Sequence, residues 1–385
     1  MISPGLDVIH PLHRRADTGM RSCRHWLGAA ALISLLPLVA TTRAEAAVGA
    51  DSLDVPAVMI DAGVPVPVVG VAQVGGALVS VGSRGLIQRS DDGGRSWQQV
   101  PSPVSSDLVQ VRFSDERNGW IVGHDSVLLH TSDGGDSWQV QLDGRRLLAL
   151  LQDWYGQRAE DGDALADDML REIGMAMSTS ATPDVLAAPF LDVLFDGRGH
   201  GFVVGAFGMI LHSQDAGATW EPWIERTDND RRMHLYGLDE RHGVFYVAGE
   251  QGLLMRLEPQ AGRFVALEVP YGGTFFGVRA LDDLLLVHGL RGNLFASRDD
   301  GQQWQKVETG LDSSLVSLVK RGGQLVVVSQ GGQMVAVNPN TLAVTSLQPV
   351  RVGEIYAASI SSVAEDMLVV ALFSGARVVA IAKAD

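Results

Sequence analysis

The chain has 385 residues, a formal charge of −15 and a hydrophobic content of 46%. It is too apolar to be broadly disordered, and it has no basic block of the kind that phosphate recognition needs, so no nucleic-acid partner is expected. Its 44 glycines and 15 prolines point to a globular protein of short strands and turns.

The N-terminal run from Met20, "MRSCRHWLGAAALISLLPLVATTRAEAAVGA", has the three parts of an export signal. Arg21 and Arg24 precede the apolar stretch Leu27 to Ala40, and Ala44-Glu45-Ala46 supplies a small-x-small cleavage pattern. Residues 1–46 are expected to be a signal peptide, with 1–19 an upstream extension. The apolar stretch is short and broken by Pro37, which suits cleavage better than a membrane span. Cys23 lies ahead of that stretch, where a lipidated cysteine would not be, so no covalent anchor is expected. Its loss with the signal removes thiol and disulfide chemistry. The expected location is the periplasm, or the thylakoid lumen in a phototrophic host.

From residue 47 onward the chain reads as repeats. Segments such as "LVQVRFSDERNGWIVGHDSVLLHTSDGGDSW" and "FLDVLFDGRGHGFVVGAFGMILHSQDAGATW" alternate strands with polar and glycine turns. Taking Gly82 as reference, equivalent positions fall at Gly123, Gly205, Gly249, Gly289, Ser329 and Leu372, and a second glycine follows three residues later in most units. The spacing is about 40 residues, doubled once between Gly123 and Gly205, which predicts four-stranded blades and an all-β, seven-bladed β-propeller. The final unit stops one strand short, and the spare apolar stretch "LDVPAVMI" (53–60) precedes the first. That stretch is expected to close the ring by pairing with the last blade.

Four turns share one spacing: a hydroxyl residue, then aspartate, glycine and tryptophan at fixed intervals. They are Ser90, Asp92, Gly94 and Trp97; Thr131, Asp133, Gly135 and Trp138; Ser213, Asp215, Gly217 and Trp220; and Ser297, Asp299, Gly301 and Trp304. The aspartate is expected to bind backbone N–H groups ahead of it, the glycine to supply the bend, and the tryptophan to pack between blades. One catalytic centre needs no four copies of its loop, so the motif is read as structural. It matches the Asp-box, or BNR repeat.

The doubled interval, residues 142–188, reads as a helical insertion between blades 2 and 3. Leu147, Leu150, Leu151 and Trp154 share one helical face; Ala166, Met169, Leu170, Ile173 and Met177 share another, with Asp163 as N-cap. One reading is a hairpin packed on the propeller. The other is a partner-docking arm using Trp154, Met169, Met175 and Met177.

No metal site, cofactor loop or catalytic motif stands out, and no catalytic residue is assigned. His130, His200, His212 and His242 fall at strand ends or turns, where local hydrogen bonding is the simpler role. Asp-boxes also occur in sialidases, which pair a tyrosine nucleophile with a carboxylate. Of the five tyrosines, Tyr155 lies in the insertion and Tyr246 in an apolar strand, while Tyr236 and Tyr356 take equivalent first-strand positions. A carbohydrate-active propeller, as hydrolase or glycan-binding module, is the alternative reading.

The hairpins "FSDERNGWIVG" and "LDERHGVFYVAG", with the Asp-boxes, resemble the photosystem II stability/assembly factor family. That resemblance implies a non-enzymatic, monomeric propeller outside the cytoplasm that binds a membrane protein complex during assembly. Similar proteins occur in non-photosynthetic bacteria beside exporters of the resistance-nodulation-division type, which makes an exporter component the other expected partner. The long insertion, and the lack of an arginine-rich face, depart from the photosynthetic pattern.

Overall fold

A computed structural model describes residues 51–61, 64–178, 180, 182–348, 352–360 and 366–382. The expected signal peptide lies outside them. The described chain is built from seven antiparallel sheets, each a meander whose strands pair in sequence order; six have four strands and the seventh has three. The first strands are Val68–Val74, Leu108–Phe113, Phe190–Phe195, Leu235–Arg241, Phe275–Leu281, Leu315–Arg321 and Ile355–Ile360. Each packs beside the first strand of the next sheet, and the seventh packs beside the first.

A meander of four strands has two distinct ends. The first–second hairpins and third–fourth turns form one end, here called the hairpin end. The second–third turns and the crossings to the next sheet form the other, the crossing end. Second strands are buried on both faces, as in Leu284–Gly289, so they read as unbroken apolar runs. At the close of the first sheet's second strand, a Cβ on Gly82 would lie 1.9 Å from the carbonyl oxygen of Pro67 in the incoming segment. Glycine is required there by close approach, not by its φ. Gly85, three residues on, has φ +74°, and Arg84 before it has φ +56°, a pair of left-handed residues forming a type I′-like turn.

The four aspartate turns are self-sufficient. Asp215 accepts from Thr219 N (2.8 Å) and the Thr219 hydroxyl (2.6 Å), while Ser213 Oγ donates to Asp215 and accepts from Gly217 N, at 2.9 and 2.8 Å. The turns at Asp92 and Asp133 repeat this set. At Asp299 the set is one short, because Gln303 replaces the hydroxyl residue and only its N–H reaches the carboxylate (2.8 Å). Each turn leans on the preceding sheet. A Cβ at Gly135 would meet Val79, and one at Gly301 would meet Leu267; at Gly94 it would meet Val369 and Val378 of the seventh sheet. Trp138 is buried, whereas Trp97, Trp220 and Trp304 are half-buried.

Residues 53–60 do not sit where the sequence suggests. Ala57 N donates to Ser102 O (3.1 Å), Ile60 N to Gln99 Oε1 (2.9 Å) and Gln99 Nε2 to Val58 O (3.0 Å), which places the segment along the outer edge of the first sheet. It forms no strand, and the seventh sheet keeps three strands among the described residues. Pro56 removes a ladder donor, and Val58 and Met59 are exposed side by side instead of alternating.

The insertion is two helices, α1 (Gly144–Glu160) and α2 (Ala164–Ser178). Asp143 caps α1 through Arg145 N and Arg146 N, and Asp163 accepts from Leu165 N (3.0 Å) at the start of α2. Both leave and re-enter at the crossing end.

Candidate functional site

The inner strands enclose a cavity of about 460 Å³ that collects side chains from all seven sheets. Toward the crossing end its wall carries Tyr236, Phe276 and Tyr356, and Tyr236 meets Phe276 edge-on at 5.6 Å. Deeper, Arg112 of the second sheet forks onto Asp192 of the third, at 2.9 and 2.7 Å. Asp192 also accepts from Leu238 N (2.8 Å) of the fourth sheet, so one buried carboxylate ties three sheets together. Burial opposes the charge on Arg112, but Asp192 outweighs it and raises the guanidinium pKa.

The opposite wall is less neutralised. Arg279 Nη1 stands 3.8 Å from Asp239, whose Oδ2 already accepts from Ala280 N at 2.9 Å. Arg279 Nε is buried without a partner among the described residues. Lys320 is exposed in the cavity and has no ion pair among the described residues. His288 reaches this wall from a second strand because Gly277 leaves room: a Cβ there would lie 2.5 Å from His288 Nε2. Burial lowers the His288 pKa to about 4, against the hydrogen bond with Leu315 O at 3.0 Å, so the ring is neutral at pH 7. An aromatic mouth above incompletely paired cations suits an extended ligand carrying acidic groups. Asp192 is the one carboxylate among the lining residues, and Arg112 occupies it, so this wall presents no pair of free carboxylates for glycoside cleavage.

Of the tyrosines weighed as nucleophiles, Tyr155 has other work. Tyr155 on α1 is fully buried, and its hydroxyl donates to Glu225 at 2.6 Å; burial and the Glu225 charge push its pKa up, away from phenolate. Arg158 also bonds Glu225, so this triad fastens α1 to the helical turn Ile224–Arg226 that follows the third sheet. His212 stacks on Phe202 (4.6 Å), and burial lowers its pKa to about 4. No group of three or more His, Cys, Asp or Glu is placed to hold a metal among the described residues.

The suggested docking residues separate. Met169 is buried, Trp154 and Met177 are half-buried against the core of the third sheet, and Met175 alone is well exposed. Three of the four, Trp154, Met169 and Met177, are thus engaged in packing within the chain. Arg112, Asp192, Arg279, His288 and Lys320 were not singled out from the sequence. Their signal was weak: charged or polar residues inside otherwise apolar strands, as in "LVQVRF" and "LVSLVKR".

Comparison with known proteins gives a consistent picture. Residues 69–147 and 182–339 match the sequence model of the family described as "Photosynthesis system II assembly factor YCF48". The unmatched stretch between them, 148–181, contains most of α1 and all of α2. "Photosystem II assembly lipoprotein Ycf48" of Synechococcus sp. (strain CC9902) is 24% identical over 60% of this chain and 72% of its own. The chloroplastic "Photosystem II stability/assembly factor HCF136" of Oryza sativa subsp. japonica is 38% identical over 15% of each chain. The solved structure titled "YCF48 bound to D1 peptide" superposes with a TM-score of 0.57 at 15% identity, covering 85% of this chain and 96% of its own. "YCF48 from Cyanidioschyzon merolae" gives 0.57 at 14%, covering 83% and 97%. With a match over more than half of its length, the chain belongs to the YCF48 family of photosystem II assembly factors.

Proposed function

We propose that the protein is an exported, non-enzymatic scaffold that holds a segment of a membrane protein while its complex assembles. In this reading the seven sheets are the blades of a closed propeller and the aspartate turns are Asp-boxes. Residues 1–46 are then a cleaved signal, and the monomer acts in the periplasm or lumen. In a phototroph the partner is photosystem II; elsewhere it is an exporter component. The cavity carries the reading, because it offers an aromatic mouth and spare cations without a paired acid and base. The solved relative bound to a D1 peptide supports a peptide ligand.

Affinity capture from detergent-solubilised membranes tests it. The parent protein is expected to retain a membrane protein, and Lys320→Glu with Tyr236→Ala to lose it at an unchanged melting temperature. Equal capture by the variant would reject the cavity as the docking site.

A further inference from the structure

Side chains alternate in direction along each inner strand, and the alternation brings three polar groups into one slot. Val278 packs with the fourth sheet and Leu281 with the sixth, so Arg279, two residues before Leu281, faces the sixth sheet. His288 pairs with Gly277 across the ladder and shares that face, and its Nδ1 reaches Leu315 O of the sixth sheet at 3.0 Å. In the sixth sheet Leu318 packs back on Leu284 and Leu286 of the fifth, while Val319 packs on the seventh. Lys320 shares the face of Leu318. It therefore points into the slot that Arg279 and His288 enter from the other side, and all three line the central cavity.

The slot offers positive charge without an open fork. Arg279 Nε is buried, so a ligand can meet only the Nη groups, and Nη1 is already turned toward Asp239 at 3.8 Å. Bidentate capture of a planar carboxylate needs two parallel N–H groups on one edge, and neither edge is fully open. Lys320 is an exposed point charge with no ion pair among the described residues. Single donors arriving from two sheets suit a tetrahedral oxyanion.

His288 adds what charge alone cannot. A carbonyl oxygen only accepts, so Nδ1 carries the proton toward Leu315 O and Nε2 keeps its lone pair. Gly277 supplies the clearance, since a Cβ there would lie 2.5 Å from Nε2. The ring is buried and stays neutral at pH 7. An acceptor set beside two cations favours an oxyanion that brings an O–H and disfavours one that brings none. Sulfate has no proton at neutral pH, and a phosphate monoester sheds its last one near about pH 6. Inorganic phosphate keeps at least one.

We propose that the slot between the fifth and sixth sheets is a binding site for inorganic phosphate, with Arg279 and Lys320 holding its charge and His288 Nε2 accepting its O–H. This goes beyond the scaffold reading, since it needs no protein ligand.

Calorimetric titration of the protein at neutral pH, in a buffer free of phosphate and sulfate, tests it. Inorganic phosphate should bind about tenfold tighter than sulfate, the worth of one hydrogen bond to a charged group. Phenyl phosphate should bind like sulfate. Lys320→Ala, an exposed position, should weaken phosphate and sulfate alike, by about tenfold. His288→Asn keeps a donor for Leu315 O but has no acceptor in place of Nε2, and should bring phosphate down to the level of sulfate. If its melting temperature falls, the parent's preference and Lys320→Ala decide alone. No binding of phosphate by the parent, equal affinity for sulfate, or full affinity in Lys320→Ala would each overturn the proposal. N-acetylglycine carries a carboxylate beside an N–H, as a peptide C-terminus does; binding as tight as that of phosphate would also overturn it and make the slot a peptide subsite. Capture of a membrane protein from detergent needs no phosphate, so the scaffold reading and this one can fail separately.

Discussion

At the scale of single residues, the aspartate turns make a sharp acid prediction. Hydrogen bonds from the Ser96 hydroxyl, the Ser96 N–H and Ser90 hold the Asp92 pKa down, from 3.8 to about 2. At Asp133 burial pulls the other way, and the bonds from Ser137 and Thr131 outweigh it to the same result. A depressed carboxylate contributes stability above its unfolded pKa and loses it as pH falls through the folded value. Urea midpoints should therefore be flat near neutrality and drop between about pH 4 and pH 2, and Asp92→Asn should flatten that drop. Asp215→Ala should cost about 1 kcal/mol, because its backbone donors can turn to water. Trp138→Ala should cost about 3–5 kcal/mol, and Trp97→Ala less, since only the first ring is fully inside. Asp192→Ala is expected to cost about 3–5 kcal/mol by leaving Arg112 enclosed without its partner. Chemical denaturation of each variant measures these values.

At the scale of elements, α1 and α2 behave as part of the core. Leu147, Leu151, Tyr155, Met169 and Ile173 join the cluster that contains Phe190, Phe202 and Trp223. Three ionic ties reinforce them: Arg145 to Asp51 and Asp54, Arg158 to Glu225, and Arg232 to Glu172. Replacing Gly144–Ser178 by a Gly/Ser linker should lower the melting temperature by several degrees, although long loops are themselves tolerated. Capture of the membrane partner should persist in the folded fraction; loss of capture at an unchanged melting temperature would restore the docking reading of the arm. The sequence revealed both helices because apolar spacing and the Asp163 cap are local signals. It did not reveal which face would be covered. Tyr155 and Leu148 are buried where Leu150 and Trp154 were expected to lead, since the receiving surface is assembled from strands far away in the chain. The cavity was hidden for the same reason: Arg112, Arg279 and Lys320 become neighbours only through the cyclic order of the sheets. The lead-in was misread because its apolar content outweighed Pro56 in the reading, whereas the ladder obeys the proline.

At the scale of the whole molecule, the junction between the first and seventh sheets is the exceptional one. The third strand of the seventh sheet, Gly375–Ala380, lacks a fourth neighbour among the described residues, while Leu254–Glu258 is paired on both sides. Outward amides of Gly375–Ala380 should exchange with deuterium well ahead of those of Leu254–Glu258 under native conditions. Equal protection would mean that another strand covers that edge.

The lean of each aspartate turn on the sheet before it also sets an order in time. As the chain emerges, the second, third and fifth sheets, which carry such turns, find their support already made. The first alone waits, because Gly94 and Trp97 rest on Val369 and its neighbours near the far terminus. Closing that contact requires nearly the full length of chain and comes late. Until then an apolar flank stands open to aggregation. In refolding, quenching or protection at Trp97 should lag behind that at Trp138, and the interval between them is the period in which the protein itself needs a chaperone.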